Sequence, residues 1–102
     1  MKLRVLDEAH EDAAEAARWY EQRQLGLGDD FLDSLTAVYQ AIEQQPDRFA
    51  RLETAPAHRN VHRYLLDRFP YYVVYEILAE DVVVLAVAHG RRRPGYWKKR
   101  RP

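Results

Sequence analysis

Seven consecutive apolar residues at positions 82–88, VVVLAVA, constrain the fold more than any other part of the sequence. The run is too short to cross a bilayer as a helix, and its valines favour an extended conformation. It lacks the alternation of apolar and polar residues, so both faces of the resulting strand must be covered. The run therefore predicts a central strand of a sheet that has protein packed on each side.

Three other segments have the composition of strands. Residues 2–6 alternate between apolar and polar side chains, and residues 60–66 and 71–78 are rich in β-branched and aromatic residues. Residues 79–81 separate the third of these strands from a last strand at 82–89 and have the length of a hairpin loop. The sequence therefore predicts four strands, two of which form a hairpin.

Two helices are predicted between the first strand and the others. Small apolar residues recur at helical spacing in residues 8–24, and acidic side chains occupy the first turns, where the helix dipole favours them. After a turn that contains Gly26 and Gly28, Asp29 or Asp30 is predicted to cap a second helix that ends before Pro46. Residues 47–59 lack periodicity and are predicted to form a loop.

These elements predict an α+β fold in a single domain of residues 1–102. An N-terminal strand is followed by an antiparallel helical hairpin, which packs on a mainly antiparallel four-stranded sheet. The chain then closes with a basic C-terminal tail.

Charge is distributed unevenly along a chain whose formal net charge is zero. Residues 1–50 contain five Lys/Arg and eleven Asp/Glu, whereas residues 51–102 contain eleven and five. One half of the protein can therefore present a basic surface to a polyanion or to an acidic partner.

Several classes of protein are disfavoured by the sequence. The absence of cysteine excludes disulfides and thiolate chemistry and fits a reducing cytoplasm, where we expect the protein. Neither a signal peptide nor a long apolar segment is present, so membrane insertion is not expected. His58 and His62 do not share a helix face, and the glycines match no phosphate-binding motif. We therefore expect neither a metal nor a cofactor.

The C-terminal segment combines positive charge with aromatic residues. Residues 91–101 contain seven cations around the adjacent pair Tyr96 and Trp97. Cations neutralise phosphates, and aromatic rings stack on bases or fill a partner's apolar groove. The alternative is a solvated tail that its aromatic residues fix to the domain. Composition alone does not distinguish these interpretations.

A metal-free ribonuclease is a second possibility, because it needs a base, an acid and cations around the phosphate. His89, at the end of the last predicted strand, together with neighbouring arginines and Tyr96, could supply these groups. The alternative is that His89 is a histidine at the end of a strand with a hydrogen bond to nearby backbone.

Two motifs resemble the RelE/ParE superfamily of toxins from type II toxin–antitoxin systems. They are FPYYVVYEI at residues 69–77 and VLAVAHGRRRPGYW at residues 84–97. The order of the other predicted elements is similar to that of the family over nearly the whole chain. This resemblance implies a toxin that is held inactive in a hetero-oligomer with a cognate antitoxin.

The two branches of the superfamily imply different activities. Ribosome-dependent mRNA endonucleases of the RelE branch normally have an arginine where this chain has Tyr72, whereas the start of the first motif and the end of the second resemble the ParE branch of DNA gyrase inhibitors. We therefore favour a ParE-like (plasmid stabilisation) toxin without catalysis of its own. Its expected target-binding residues are Arg91, Arg92, Arg93, Tyr96, Trp97, Lys98 and Lys99.

The RelE-like alternative assigns catalytic roles to other residues and has the ribosome and mRNA as partners. Arg63 and Arg68 would bind phosphate, His89 would act as acid or base, and Tyr96 would orient the substrate. A third interpretation is a toxin that has lost its activity and now serves only as a partner of the antitoxin.

Overall fold

The apolar run at residues 82–88 lies at the centre of the sheet, as the sequence predicts. The computed structural model describes all residues, 1–102, and has the predicted α+β architecture. Its elements are β1 (Lys2–Val5), α1 (Asp7–Arg23), α2 (Leu27–Gln44), β2 (Val61–Leu65), β3 (Tyr71–Ile77) and β4 (Asp81–His89), with short 3-10 helices at Pro46–Arg48 and Tyr96–Lys99.

The four strands form one mixed sheet in the order β1-β4-β3-β2. β3 is antiparallel to both of its neighbours, β2 and β4. β1 is parallel to β4 and pairs only with the first four residues of β4, 81–84. The register of β3 and β4 shifts at Leu85, which has no partner in β3. Because β1 ends its pairing at Val84, the outer edge of β4 beyond Val84 has no neighbouring strand.

The helices form the predicted hairpin, but α2 begins earlier than predicted. Gly26, in the left-handed conformation with φ 89°, precedes the first residue of α2, and Asp29 and Asp30 lie in its first turn without capping it. The carboxylate of Glu21 on α1 instead accepts hydrogen bonds from the backbone N–H groups of Gly26 and Gly28 at 3.0–3.1 Å. A side chain from the preceding helix thus satisfies the free N–H groups at the start of α2.

The sheet separates two layers, which we call the helix face and the tail face. On the helix face, Tyr71 packs against Tyr20 of α1 and Phe31 of α2. On the tail face, Trp97 packs beneath the guanidinium of Arg59, which forms two hydrogen bonds with the buried carboxylate of Glu76. Both faces of β4 are thereby covered, and residues 82–88 are buried.

A polar cluster attaches the C-terminal tail to the free edge of β4. The Arg100 guanidinium donates to the Asp12 carboxylate at 2.7 and 3.2 Å and to the Leu85 carbonyl at 2.9 Å. The same carboxylate accepts from the Val87 N–H at 3.0 Å and from the Tyr96 hydroxyl at 3.3 Å. Side chains from α1 and the tail therefore satisfy backbone groups that a fifth strand would otherwise pair.

The structure contains no helix whose length and apolar character together would allow it to span a membrane.

At Gly28 the backbones of the two helices approach each other closely. A Cβ atom there would lie 2.7 Å from the Ala17 carbonyl oxygen. We expect Gly28→Ala to lower the free energy of unfolding by about 1–3 kcal/mol, because the helices must separate. Urea unfolding measures the change. Gly90→Ala is the control, since its Cβ would lie 3.5 Å from the nearest atom, and an equal loss in both variants would contradict the explanation.

The ion pair between Asp12 and Arg100 should contribute more to stability than the exposed ion pair between Arg4 and Asp81 does. Arg100→Gln removes a guanidinium that is 16% exposed, and we expect a loss of about 2 kcal/mol because the Leu85 carbonyl and the Asp12 carboxylate lose their partner. The control is Arg4→Gln, whose pair with Asp81 has the same 2.7 Å distance but whose side chain is 47% exposed. Its loss should stay below about 1 kcal/mol. Equal losses in urea unfolding would contradict the role of the cluster.

Candidate functional site

The tail presents positive charges that no carboxylate neutralises. Its exposed members are Arg91, Arg92, Arg93, Lys98, Lys99 and Arg101. The four ion pairs of the structure involve other cations, namely Arg4, Arg59, Arg68 and Arg100. Because the 3-10 helix and the cluster at Asp12 hold this segment against the sheet, the cations lie on a defined surface and not on a loose chain.

The two aromatic residues of the tail have different environments. Trp97 is 1% exposed and belongs to the hydrophobic core, so its ring is not accessible to a target in this structure, contrary to the expected contact. Tyr96 is partly exposed, and its ring carries the guanidinium of Arg92 at 4.1 Å. Trp97 therefore anchors the tail, whereas Tyr96 positions a cation.

A cleft of about 460 Å³ opens beside the tail on the helix face. We call it the helix-side cleft, and its polar lining residues are Asp12, Glu15, Tyr20, Tyr71, His89, Arg92 and Tyr96. Burial and the negative charge of Asp12 raise the pKa of the Tyr96 hydroxyl well above its ordinary value, so this hydroxyl remains protonated and donates to Asp12.

His89 lies in the same cleft, at the end of β4. Its ring packs edge-on against Tyr71, and its Nδ1 accepts a hydrogen bond from the Arg91 N–H at 3.0 Å. This contact fixes the imidazole against the turn that follows β4. His89 therefore has the geometry of the bland alternative predicted from the sequence, a histidine at the end of a strand with a hydrogen bond to nearby backbone.

A smaller pocket of about 200 Å³ lies on the tail face. We call it the tail pocket, and it is lined by Leu52, Thr54, Arg63, Tyr72, Gly90, Arg92, Pro94, Gly95 and Trp97. The guanidinium of Arg63 lies 5.8 Å from the centre of the Tyr72 ring. Arg92 lines both this pocket and the helix-side cleft, because it follows the end of β4, where the two faces of the sheet meet.

The residues that a nuclease would require do not form one site. His89 and Tyr96 line the helix-side cleft, whereas Arg63 lines the tail pocket on the other face of the sheet. Arg68 lies beyond β2, 3.7 Å from Asp30 of α2, and lines neither. The sheet therefore separates the candidate base from Arg63, whereas Arg68 lies on the helix face but in a different pocket, beside α2.

Asp12 and Arg100 were not predicted to form a pair, although they organise the site. They are 88 residues apart, and nothing in the local sequence connects them. One indication was present: Asp12 falls three residues after Ala9 and four before Ala16, on the apolar side of α1. A carboxylate on the buried face of a helix requires a partner.

Comparisons with known proteins agree on one family. The model of the family described as "ParE toxin of type II toxin-antitoxin system, parDE" matches residues 3–94. Toxin ParE2 of Mycobacterium tuberculosis, from strains CDC 1551 / Oshkosh and ATCC 25618 / H37Rv, is 32% identical over 98 residues, which cover 91% of this chain and 85% of the relative.

A solved structure supports the fold independently. A chain of the chromosomal ParDE toxin–antitoxin system from P. aeruginosa superimposes with a TM-score of 0.65 over 87% of this chain and 95% of its own length, at 17% identity. The family match and the similarity to ParE2 both extend over nearly the whole chain. On this evidence the chain belongs to the ParE family, the toxins of type II toxin–antitoxin systems.

Proposed function

We propose that this toxin acts in the cytoplasm by binding DNA gyrase through its basic tail, without making or breaking a covalent bond. A cognate antitoxin neutralises it in a hetero-oligomer. The observation that carries the proposal is the separation of His89 from Arg63 and Arg68, because metal-free RNA cleavage needs these groups around one phosphate.

The contact surface follows from the charges that remain free. Arg91, Arg93, Lys98 and Lys99 are exposed and have no carboxylate partner, and Arg92 lies between the two pockets. Exposed cations on a fixed surface provide both steering towards an acidic or nucleic-acid-bound target and orientation upon contact. Trp97 is left out of this set because it is buried.

The antitoxin is proposed to cover apolar side chains that the toxin leaves exposed. Leu25 in the helical turn is 91% exposed, Leu65 at the end of β2 is 56% exposed and Leu32 on α2 is 39% exposed. A flexible segment that folds on binding can cover such separate sites along one path.

One specific observation favours the RNA-cleaving alternative and makes it worth testing. The helix-side cleft brings together His89, Tyr96 and Arg92, which comprise a titratable group, a hydroxyl and a cation. If these three residues were sufficient for cleavage, the protein would cut mRNA in translating ribosomes and leave supercoiling by gyrase unaffected.

The two activities separate in two reactions with purified, antitoxin-free protein. We expect inhibition of gyrase supercoiling and no cleavage of mRNA in programmed translation.

The variant R91Q/R93Q/K98Q/K99Q should need about tenfold more protein for half-inhibition, because four charge contacts are lost. The control R18Q/R23Q removes two exposed cations from α1 and should inhibit like the wild type. Cleaved mRNA with unaffected supercoiling would establish the nuclease, and inactivity in both reactions with retained antitoxin binding would establish the third interpretation.

A substitution of His89 tests catalysis directly. We expect His89→Gln to keep its inhibition of gyrase within about twofold, because binding through cations does not need a proton-transfer group. Circular dichroism and urea unfolding should confirm that the variant is folded. Loss of toxicity in a folded His89→Gln protein would contradict the binding mechanism.

A further inference from the structure

The tail pocket differs from the other main pockets in the sign of its charge. Its lining residues include Arg63 and Arg92 and no aspartate or glutamate. The helix-side cleft, in contrast, contains two carboxylates, and a third pocket near α2 contains Asp67 beside Arg68. An anion would therefore meet uncompensated positive charge only in the tail pocket among these three.

Both guanidinium groups lie over tyrosine rings. Arg92 lies 4.1 Å from the centre of the Tyr96 ring, and Arg63 lies 5.8 Å from that of Tyr72. Neither side chain has a hydrogen-bond or ion-pair partner in the protein, since the arginine side chains with such partners are at other positions: Arg4, Arg23, Arg48, Arg51, Arg59, Arg68 and Arg100. Stacking restricts the guanidinium while its N–H donors stay free, which suits a planar contact with phosphate oxygens.

A third cation, Lys98, lies beside one of the residues that line this pocket. Gly95 has φ 78°, and a Cβ atom there would lie 2.9 Å from Cε and 3.3 Å from Nζ of Lys98. The Lys98 side chain therefore runs along the backbone of a residue that lines the pocket. Its ammonium group therefore adds positive charge beside Gly95, a residue of the pocket lining.

We propose that the tail pocket binds a single backbone phosphate of duplex DNA, and that Arg91, Arg93 and Lys99 reach neighbouring phosphates. A volume of about 200 Å³ suits one phosphate but is small for a nucleoside. The proposal rests on the proposed function in one respect, since gyrase supplies the DNA on which the toxin acts.

The aromatic residues favour a duplex over single-stranded RNA. Proteins that bind single strands stack bases on free aromatic faces. Trp97 is buried here, and Tyr72 and Tyr96 each have a face under a guanidinium. Contacts limited to phosphates carry no sequence information, so binding should not depend on the DNA sequence.

The test is fluorescence anisotropy with labelled duplexes of about 20 base pairs in two unrelated sequences, between about 50 and 200 mM salt. We expect R63Q/R92Q to bind about tenfold more weakly than the wild type. The decrease of log K, the association constant, with log salt should become shallower by about 1, equally for both sequences. The control is R18Q/R23Q, because Arg23 also stacks on an exposed aromatic ring, at 3.5 Å from the centre of Trp19, and also has no carboxylate partner.

Four outcomes would overturn the phosphate site. They are absence of DNA binding by the wild type at about 50 mM salt, an equal loss in R63Q/R92Q and R18Q/R23Q, no loss in either variant, and tighter binding of single-stranded RNA or of an acidic peptide than of the duplex. Urea unfolding checks that R63Q/R92Q is folded. If it is destabilised, R63K/R92K replaces it. This variant keeps the charges but loses the planar guanidinium groups, so its affinity should lie between those of the wild type and a variant without the charges.

Gyrase supercoiling separates this inference from the proposed function. If R63Q/R92Q keeps the DNA affinity of the wild type while the wild type inhibits gyrase, the inference fails and the proposed function stands. If the wild type binds DNA but never inhibits gyrase, the proposed function fails and the pocket remains a DNA-binding site. Loss of both DNA affinity and inhibition in R63Q/R92Q is the expected result.

Discussion

The ion pair between Asp12 and Arg100 is the interaction on which the arrangement of the functional surface depends. β1 pairs with only the first four residues of β4, so the rest of that edge has free backbone groups. The carboxylate accepts from the Val87 N–H, and the guanidinium donates to the Leu85 carbonyl. The pair thus closes the edge and at the same time fixes the basic tail to α1, which is acidic.

The sheet has a second role as a wall between two chemical environments. On the helix face, the cleft contains carboxylates, tyrosines and His89, whereas the pocket on the tail face has no carboxylate and is lined by Arg63; Arg92 lines both. Groups that lie close together along the chain, such as Tyr71 and Tyr72, therefore point into different sites. This separation accounts for the favoured binding mechanism, because RNA cleavage requires its acid, base and cations to be in one place.

Most of the fold could be predicted from local patterns. The strands, both helices and the hairpin between β3 and β4 follow from periodicity, and the comparisons and the structure confirm the α+β class. The predicted start of α2 was wrong. Asp29 and Asp30 are residue types that commonly cap helices, but the side chain of Glu21 on α1 caps this one. Such a cap depends on how two helices pack, which propensity does not describe. The burial of Trp97 was not predicted either, since burial is a property of the folded chain.

The sequence by itself determined the family, the order of the elements, the central position of β4 and the concentration of positive charge after Gly90, because each is written in contiguous residues. Only the tertiary structure decided which face of the sheet each candidate side chain occupies, and it brought Asp12 to Arg100 across 88 positions. The physical reason is that the side chains of a strand alternate between faces, so a residue's environment depends on the layer packed above it. Patterns along the chain therefore define its elements, while packing between the elements defines its sites.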